Sequence, residues 1–194
     1  FTKAVAFAKK HDIMLVNDNP YSFILNDNPI SLLETEGARD IAIELNSLSK
    51  TFNMAGWRVG MVVGKGEIIK SILQVNSNMD SGMFLPIQLG AVDALNQDKS
   101  WYKDLNNIYK DRKKIVVIIC QKLNLKFDDK GSGLFVWGKI SDEFKTSEEF
   151  VDELLYQKNI FIAPGSIFGS NGEGYVRISL CCDEKKLNEA LIRL

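Results

Sequence analysis

The sequence predicts an α/β fold, because short apolar runs that end in polar segments alternate with stretches of helical periodicity. Three such runs, at residues 13–16, 41–45 and 58–63, have the length and composition of buried strands. A long amphipathic stretch at residues 98–123 separates them from a second region of mixed strand and helix patterns. We therefore expect a mostly parallel sheet with its ligand site beyond the strand ends, followed by a smaller α+β domain.

Helical patterns surround these strands in the first half of the chain. Apolar residues recur at helical spacing from Phe1, and basic residues before Asp12 suit a helix C-terminus. Helices are also predicted over residues 67–75 and 86–95, the second opened by a proline in its first turn. These predicted helices, together with the long one, place a domain division after residue 97. Residues 98–194 are then a linking helix and a small domain.

The second half predicts strands over residues 133–140, 160–163 and 175–180, with helices over 147–157 and from Asp183. The last helix keeps its apolar face to Leu194 without a C-cap glycine, so we expect it to be truncated. The chain also begins at Phe1 and not at a methionine, so we expect a preceding segment.

Composition excludes several classes of protein. The 194 residues carry 24 Lys+Arg and 25 Asp+Glu, a net charge of -1, which argues against nucleic acid as the principal partner. The longest apolar run, Ile115–Cys120, is far shorter than the ~20 residues of a membrane-spanning helix. We therefore expect no membrane span.

Cysteine and histidine usage excludes further kinds of site. The three cysteines are odd in number, and the vicinal pair Cys181–Cys182 lacks metal-ligand spacing, so we expect reduced thiols in a cytoplasmic protein and no metal. The single histidine, His11, cannot form a multi-histidine zinc site. Its position after two lysines is typical of a solvated helix C-terminus.

The segment from Ser47 to Gly60 is the most informative one for chemistry. It places hydroxyls and Lys50 in a predicted loop after a buried strand, with Arg58 opening the next strand. A partly desolvated lysine is a usable amine nucleophile, and an arginine beside hydroxyls suits a phosphate dianion. Arg58 and Arg177 both lie in apolar strand patterns, where buried ion pairing and ligand binding are equally open alternatives.

Five motifs in order and spacing resemble the class I/II aminotransferases, which are pyridoxal-phosphate enzymes of fold type I. The motifs are Asp18-Asn19-Pro20-Tyr21, Ser47-Leu48-Ser49-Lys50, the segment Asn53 to Gly60, Pro164-Gly165-Ser166 with Phe168-Gly169, and the segment Gly174 to Ser179. The resemblance covers essentially the whole chain. It implies the C-terminal part of the large cofactor domain followed by the small C-terminal domain.

The resemblance also implies a role for each site residue. Lys50 matches the Schiff-base lysine, and Arg177 matches the arginine that binds the substrate α-carboxylate. The cofactor pyridoxal 5′-phosphate would further be held by Asp18 at the pyridine nitrogen, Tyr21 at the phenolic oxygen, and Ser47, Ser49 and Arg58 at the phosphate. The implied partners are an amino acid, a 2-oxo acid and, in the full-length protein, a second subunit of a homodimer.

The chain lacks two features of the family pattern, namely the N-terminal half and a second arginine that some members have. Only the C-terminal half of the family is represented, so we expect residues 1–194 alone to be inactive and not to bind the cofactor tightly. Some dicarboxylate-specific members place a second arginine after the phosphate-binding one, and no arginine lies between Arg58 and Arg112. We therefore do not predict an aspartate aminotransferase.

The sequence thus predicts transfer of an amino group from an L-amino acid to a 2-oxo acid through a Lys50 Schiff base, in amino acid metabolism. A carbon-sulfur β-lyase on the same fold would use the same lysine and arginines. A third alternative is the cofactor-sensing, aminotransferase-like domain of a transcription regulator.

Overall fold

The computed structural model describes residues 1–194 as two units, Phe1–Trp101 and Tyr102–Leu194. Helix α5 (Ser100–Lys122) contributes its first residues to one unit and the remainder to the other. The boundary between the units therefore lies inside a helix, a few residues after the domain division that the sequence suggests. None of the helices combines the length and apolarity that crossing a membrane requires.

The first unit is built on a three-stranded sheet of order β1-β2-β3. Its elements are α1 (Thr2–Lys10), β1 (Leu15–Asp18), β2 (Ala42–Ser47), α2 (Leu48–Thr51), β3 (Gly60–Gly64), α3 (Gly66–Met79) and α4 (Leu85–Leu95). A core cluster of Val5, Leu32, Ala38 and Ala42 joins α1 to β2 and to the segment between β1 and β2. Helices α3 and α4 bury no residue, and most of their large apolar side chains are exposed in this chain.

Strand β3 corrects one expectation about this sheet. The sequence suggested a third parallel strand, but β3 pairs antiparallel with β2, whereas β1 and β2 are parallel. The connection between β2 and β3 folds into α2 and a 3-10 turn, and the Leu48 N–H donates to the Val59 carbonyl at 3.2 Å. The connection from β2 to β3 is too short for the crossover that a parallel pair needs. The chain therefore enters β3 at the same end of the sheet at which it leaves β2.

Strand β1 begins two residues later than the apolar run predicts. The Ile13 N–H donates to the Ala8 carbonyl at 2.9 Å, and Asp12 adopts a left-handed backbone with φ 51°. These residues therefore still close the end of α1. The pairing with β2 starts at Leu15, which lies opposite Ala42.

The second unit is a four-stranded antiparallel sheet with helices. Its elements after α5 are β4 (Lys126–Phe127), β5 (Phe135–Lys139), α6 (Ser147–Lys158), β6 (Ala163–Pro164), β7 (Tyr175–Ser179) and α7 (Glu184–Arg193), and the strand order is β4-β5-β7-β6. Val116, Val176 and Leu180 are almost completely buried. Each such side chain contributes about 2 kcal/mol of hydrophobic stabilisation.

The strand predicted over residues 160–163 is wrong in most of its length. The Ile160 N–H donates to Leu154 in α6 at 3.2 Å, and Asn159 has a left-handed φ of 52°, so these residues belong to the end of that helix. Only Ala163 and Pro164 pair with β7. The sequence also missed β4, whose two residues are too few to give an alternating pattern.

Candidate active site

The carboxyl ends of β1 and β2 lie at the same edge of the first sheet as the amino end of β3. Asp18 ends β1 and lies opposite Leu45, while Ser47 ends β2 and lies opposite Gly60. Side chains alternate along a strand, so Asp18, Leu45 and Ser47 share one face of the sheet. The register thus brings the predicted carboxylate and the first predicted hydroxyl to one end of one face.

Lys50 lies on the single helical turn α2, directly after β2. The sequence placed it in a loop, but Ser47 caps the turn by accepting a hydrogen bond from the Ser49 N–H at 3.1 Å. The Lys50 Nζ lies 5.8 Å from the centroid of the Tyr21 ring, within cation–π range. The predicted amine and the predicted tyrosine are therefore neighbours.

The two serine hydroxyls form a pair. Ser47 Oγ lies 2.9 Å from Ser49 Oγ and 3.3 Å from the Val59 carbonyl oxygen, and both serines are half-buried. A hydroxyl can rotate to donate its proton to a phosphate oxygen, so a pair of them is suited to bind such a group. The pair lies one turn or less from Lys50 along the chain.

Arg58 does not lie in the strand that the sequence assigned to it. It is exposed, precedes β3 and has a left-handed backbone with φ 55°. Its Nη1 donates to the Ala55 carbonyl at 2.9 Å, and its other guanidinium N–H groups have no partner within the chain. A non-glycine residue in this conformation carries backbone strain of about 1–3 kcal/mol.

A buried carboxylate on the opposite face of the sheet supports this edge. Glu44 is only 8% exposed and accepts four hydrogen bonds. The donors are Asn17 Nδ2 at 3.1 Å, Asn19 Nδ2 at 3.1 Å, Ser31 Oγ at 2.8 Å and the Leu32 N–H at 2.9 Å. Burial alone would raise the pKa of Glu44, but these bonds together lower it below the ordinary value.

The two asparagines that bind Glu44 flank Asp18 on either side. Glu44 therefore fixes the end of β1, which carries Asp18 and leads into the turn that contains Tyr21. Sequence reasoning missed this role. The available signal was a glutamate inside the apolar run 41–45, because a buried charge requires partners.

Arg177 belongs to the second unit, at the centre of β7. It lies opposite Trp137 of β5 and Ala163 of β6 and is half-buried. Its guanidinium carbon is 4.1 Å from the centroid of the Phe135 ring and 4.2 Å from that of Phe168. The two aromatic contacts were not predicted, although the sequence singled out Phe168 as part of a motif.

The donor set in the first unit fits a phosphorylated carbonyl compound. A lysine amine attacks a carbonyl carbon, and paired hydroxyls with a guanidinium bind phosphate oxygens. A carboxylate on the same face can hold a protonated ring nitrogen. In an α/β fold, such a set of side chains is suited to a carbonyl compound that carries a phosphate group.

Comparison with known proteins specifies the family. Residues 1–194 match the family model described as aminotransferase class I and II, and the chain belongs to that family. The resemblance drawn from the sequence motifs and the predicted α/β fold class are thereby confirmed.

Individual relatives cover the whole of this chain. It is 40% identical to an LL-diaminopimelate aminotransferase of Maridesulfovibrio salexigens, over 100% of this chain and 50% of the relative. It is 39% identical to transaminase BacF of Bacillus subtilis, over 100% of this chain and 49% of that protein. The solved structure of apo-BacF superposes with a TM-score of 0.91 over 99% of this chain and 49% of that chain. The chain thus spans about half the length of the relatives it matches.

Proposed function

We propose that the protein transfers an amino group from an L-amino acid to a 2-oxo acid, with pyridoxal 5′-phosphate bound at the edge of the first sheet. The observation that carries this proposal is the grouping of Lys50, Tyr21 and the Ser47–Ser49 hydroxyl pair at one sheet end. Membership of the aminotransferase family supports it. Pyridoxal phosphate supplies an electron sink that stabilises negative charge at the substrate Cα.

The residues of the first unit divide the binding of the cofactor among them. Ser47, Ser49 and Arg58 bind the phosphate, for which hydroxyl and guanidinium donors are suited. Asp18 would accept a hydrogen bond from the protonated ring nitrogen, and the Tyr21 hydroxyl would donate a hydrogen bond to the phenolic oxygen. The position of Asp18 on the same face as Ser47 supports this division.

Lys50 and Arg177 act on the substrate. Lys50 would hold the cofactor at its carbonyl carbon, and its amine would be the base that moves the proton at the substrate Cα. Arg177 binds the α-carboxylate, which amino acid and 2-oxo acid have in common. Its planar guanidinium can form two parallel hydrogen bonds with that group.

The relatives favour amino transfer over the two alternatives, because they bear aminotransferase names. Two relatives of nearly equal identity, 40% and 39%, bear different names, LL-diaminopimelate aminotransferase and transaminase BacF. The proposal therefore specifies an L-amino acid donor as a class. No single donor is preferred within it.

Replacement of Lys50 tests the proposed function. In the protein expressed from its full reading frame, Lys50→Ala should lower amino transfer from a panel of L-amino acids to 2-oxoglutarate by at least about a thousandfold, since the proton at Cα loses its acceptor. Lys65→Ala is the matched control, because Lys65 is exposed and pairs only with Glu67 at 3.2 Å. Full activity of Lys50→Ala, or release of pyruvate and ammonia in place of amino transfer, would contradict the proposal.

A further inference from the structure

Two aromatic rings contact the guanidinium of Arg177 within the second unit. The guanidinium carbon lies 4.1 Å from the Phe135 centroid and 4.2 Å from the Phe168 centroid. Phe135 reaches it from the neighbouring strand β5, where it lies opposite Ser179, and Phe168 from the 3-10 turn Gly165–Phe168. Contacts with two rings restrict the movement of a guanidinium and use none of its N–H groups, which can still donate to an oxygen acceptor.

The Arg177 side chain has no anionic or carbonyl partner within the chain. By contrast, Arg112 bonds to Glu184 at 3.4 Å and to the Leu180 carbonyl at 3.2 Å. Arg193 likewise donates to the Asn159 carbonyl at 3.0 Å. A half-buried guanidinium that is held only by rings keeps its donors available for an external carboxylate.

Phe168 is itself held in place by its neighbours. Its ring makes an edge contact with Trp137 at 5.8 Å, and Trp137 stacks on Tyr175 at 5.5 Å between centroids. The turn that carries Phe168 begins at Gly165, which approaches Gly172 so closely that neither position has room for a Cβ atom. The ring therefore has a fixed position relative to β7.

We infer that Phe135 and Phe168 are positioning residues, which hold the Arg177 guanidinium plane in the orientation that binds the substrate carboxylate. This inference rests on the role proposed above for Arg177. Because both substrates carry the carboxylate, loss of either ring weakens the binding of donor and acceptor together. The turnover number changes less, since the rings contact neither the amine nor the Cα proton.

Kinetics of ring variants in the protein expressed from its full reading frame test the inference. Phe168→Leu and Phe135→Leu should each raise KM for the amino acid and for the 2-oxo acid about three- to tenfold, the loss expected for a partly desolvated cation–π contact. Phe168→Tyr should leave both KM values close to those of the wild type, because tyrosine keeps an aromatic ring at this position. Tyr156→Leu is the control, since Tyr156 is 79% exposed on α6 and does not line the pocket that includes Arg177. Far-ultraviolet circular dichroism and the midpoint of thermal unfolding verify the fold of each variant.

A double-variant cycle distinguishes positioning from a general loss of structure. If Phe168 acts through Arg177, then Phe168→Leu should raise KM in the wild-type background but not in an Arg177→Gln background. Equal increases in both backgrounds, or unchanged KM in both leucine variants, would overturn the inference while leaving amino transfer intact. Unchanged KM in Arg177→Gln alone would refute the proposed role of Arg177, and absence of amino transfer in the wild type would refute the proposed function.

Discussion

Glu44 illustrates how one side chain without a role in binding can determine the position of others. Its carboxylate accepts hydrogen bonds from Asn17, Asn19, Ser31 and the Leu32 N–H, and so joins β2 to β1 and to the middle of the segment between the two strands. Removal of the charge leaves buried donors without a full-strength acceptor. Asp18 and Tyr21 would then project from a less well-fixed strand end.

Glu44→Gln should lower the free energy of unfolding at pH 7 by about 2–3 kcal/mol, because hydrogen bonds to a charged acceptor are replaced by weaker ones. The pKa of Glu44 lies below its ordinary value of 4.5 in the folded protein. Its contribution is therefore present above pH 4.5 and lost as the pH falls through the folded pKa. Urea unfolding from pH 7 to pH 3.5 should show the difference from wild type shrinking at acid pH. Glu36→Gln, an exposed neighbour, serves as control, and a difference that stays constant with pH would contradict this account.

In the second unit, the position of one element likewise depends on its packing against another: the turn Gly165–Phe168 packs closely against the start of β7. A Cβ atom added at Gly165 would lie 2.7 Å from the Tyr175 carbonyl oxygen and nearer still to that of Gly172, so the backbone itself must move. Strand β7 and this turn are therefore fitted to each other through two glycines. The position of Phe168 over Arg177 depends on that fit.

Gly165→Ala should lower the free energy of unfolding by about 1–3 kcal/mol, the usual range for overpacking a filled site. It should also raise KM for both substrates, since the Phe168 ring moves with the turn. Gly131→Ala is the matched control, because an added Cβ there would meet only the Asp128 carbonyl oxygen at 3.8 Å. Unfolding of both variants and the wild type in guanidinium chloride measures the difference in the free energy of unfolding. Equal stabilities would show that the close approach is not maintained in solution.

Across the whole molecule, the sequence predicts best what is local along the chain. Ser47, Ser49 and Lys50 lie within one turn of each other, so their spacing alone indicates that they act together. Contacts that depend on strand register were missed. The Glu44 network joins residues 25 and 27 positions apart, and the Phe135 contact with Arg177 crosses from β5 to β7. Periodicity gives the identity of strands but not which residues of two strands lie opposite each other.

The direction of β3 was missed for a related reason. An apolar run gives no information about whether its strand is parallel or antiparallel, and only the short return through α2 decides this. The left-handed backbone of Arg58 was equally hidden, because arginine has no preference for that conformation. The residue types proposed for the site could therefore be chosen from the sequence, whereas their backbone geometry could not.

Reduction with sodium borohydride tests the central claim most directly. Pyridoxal phosphate is added to the protein expressed from its full reading frame, the complex is reduced, and the digested peptides are analysed by mass spectrometry. The account predicts one pyridoxyl label per chain, on Lys50, and none in Lys50→Ala. A label on any other lysine, or no label on the wild-type protein, would contradict it.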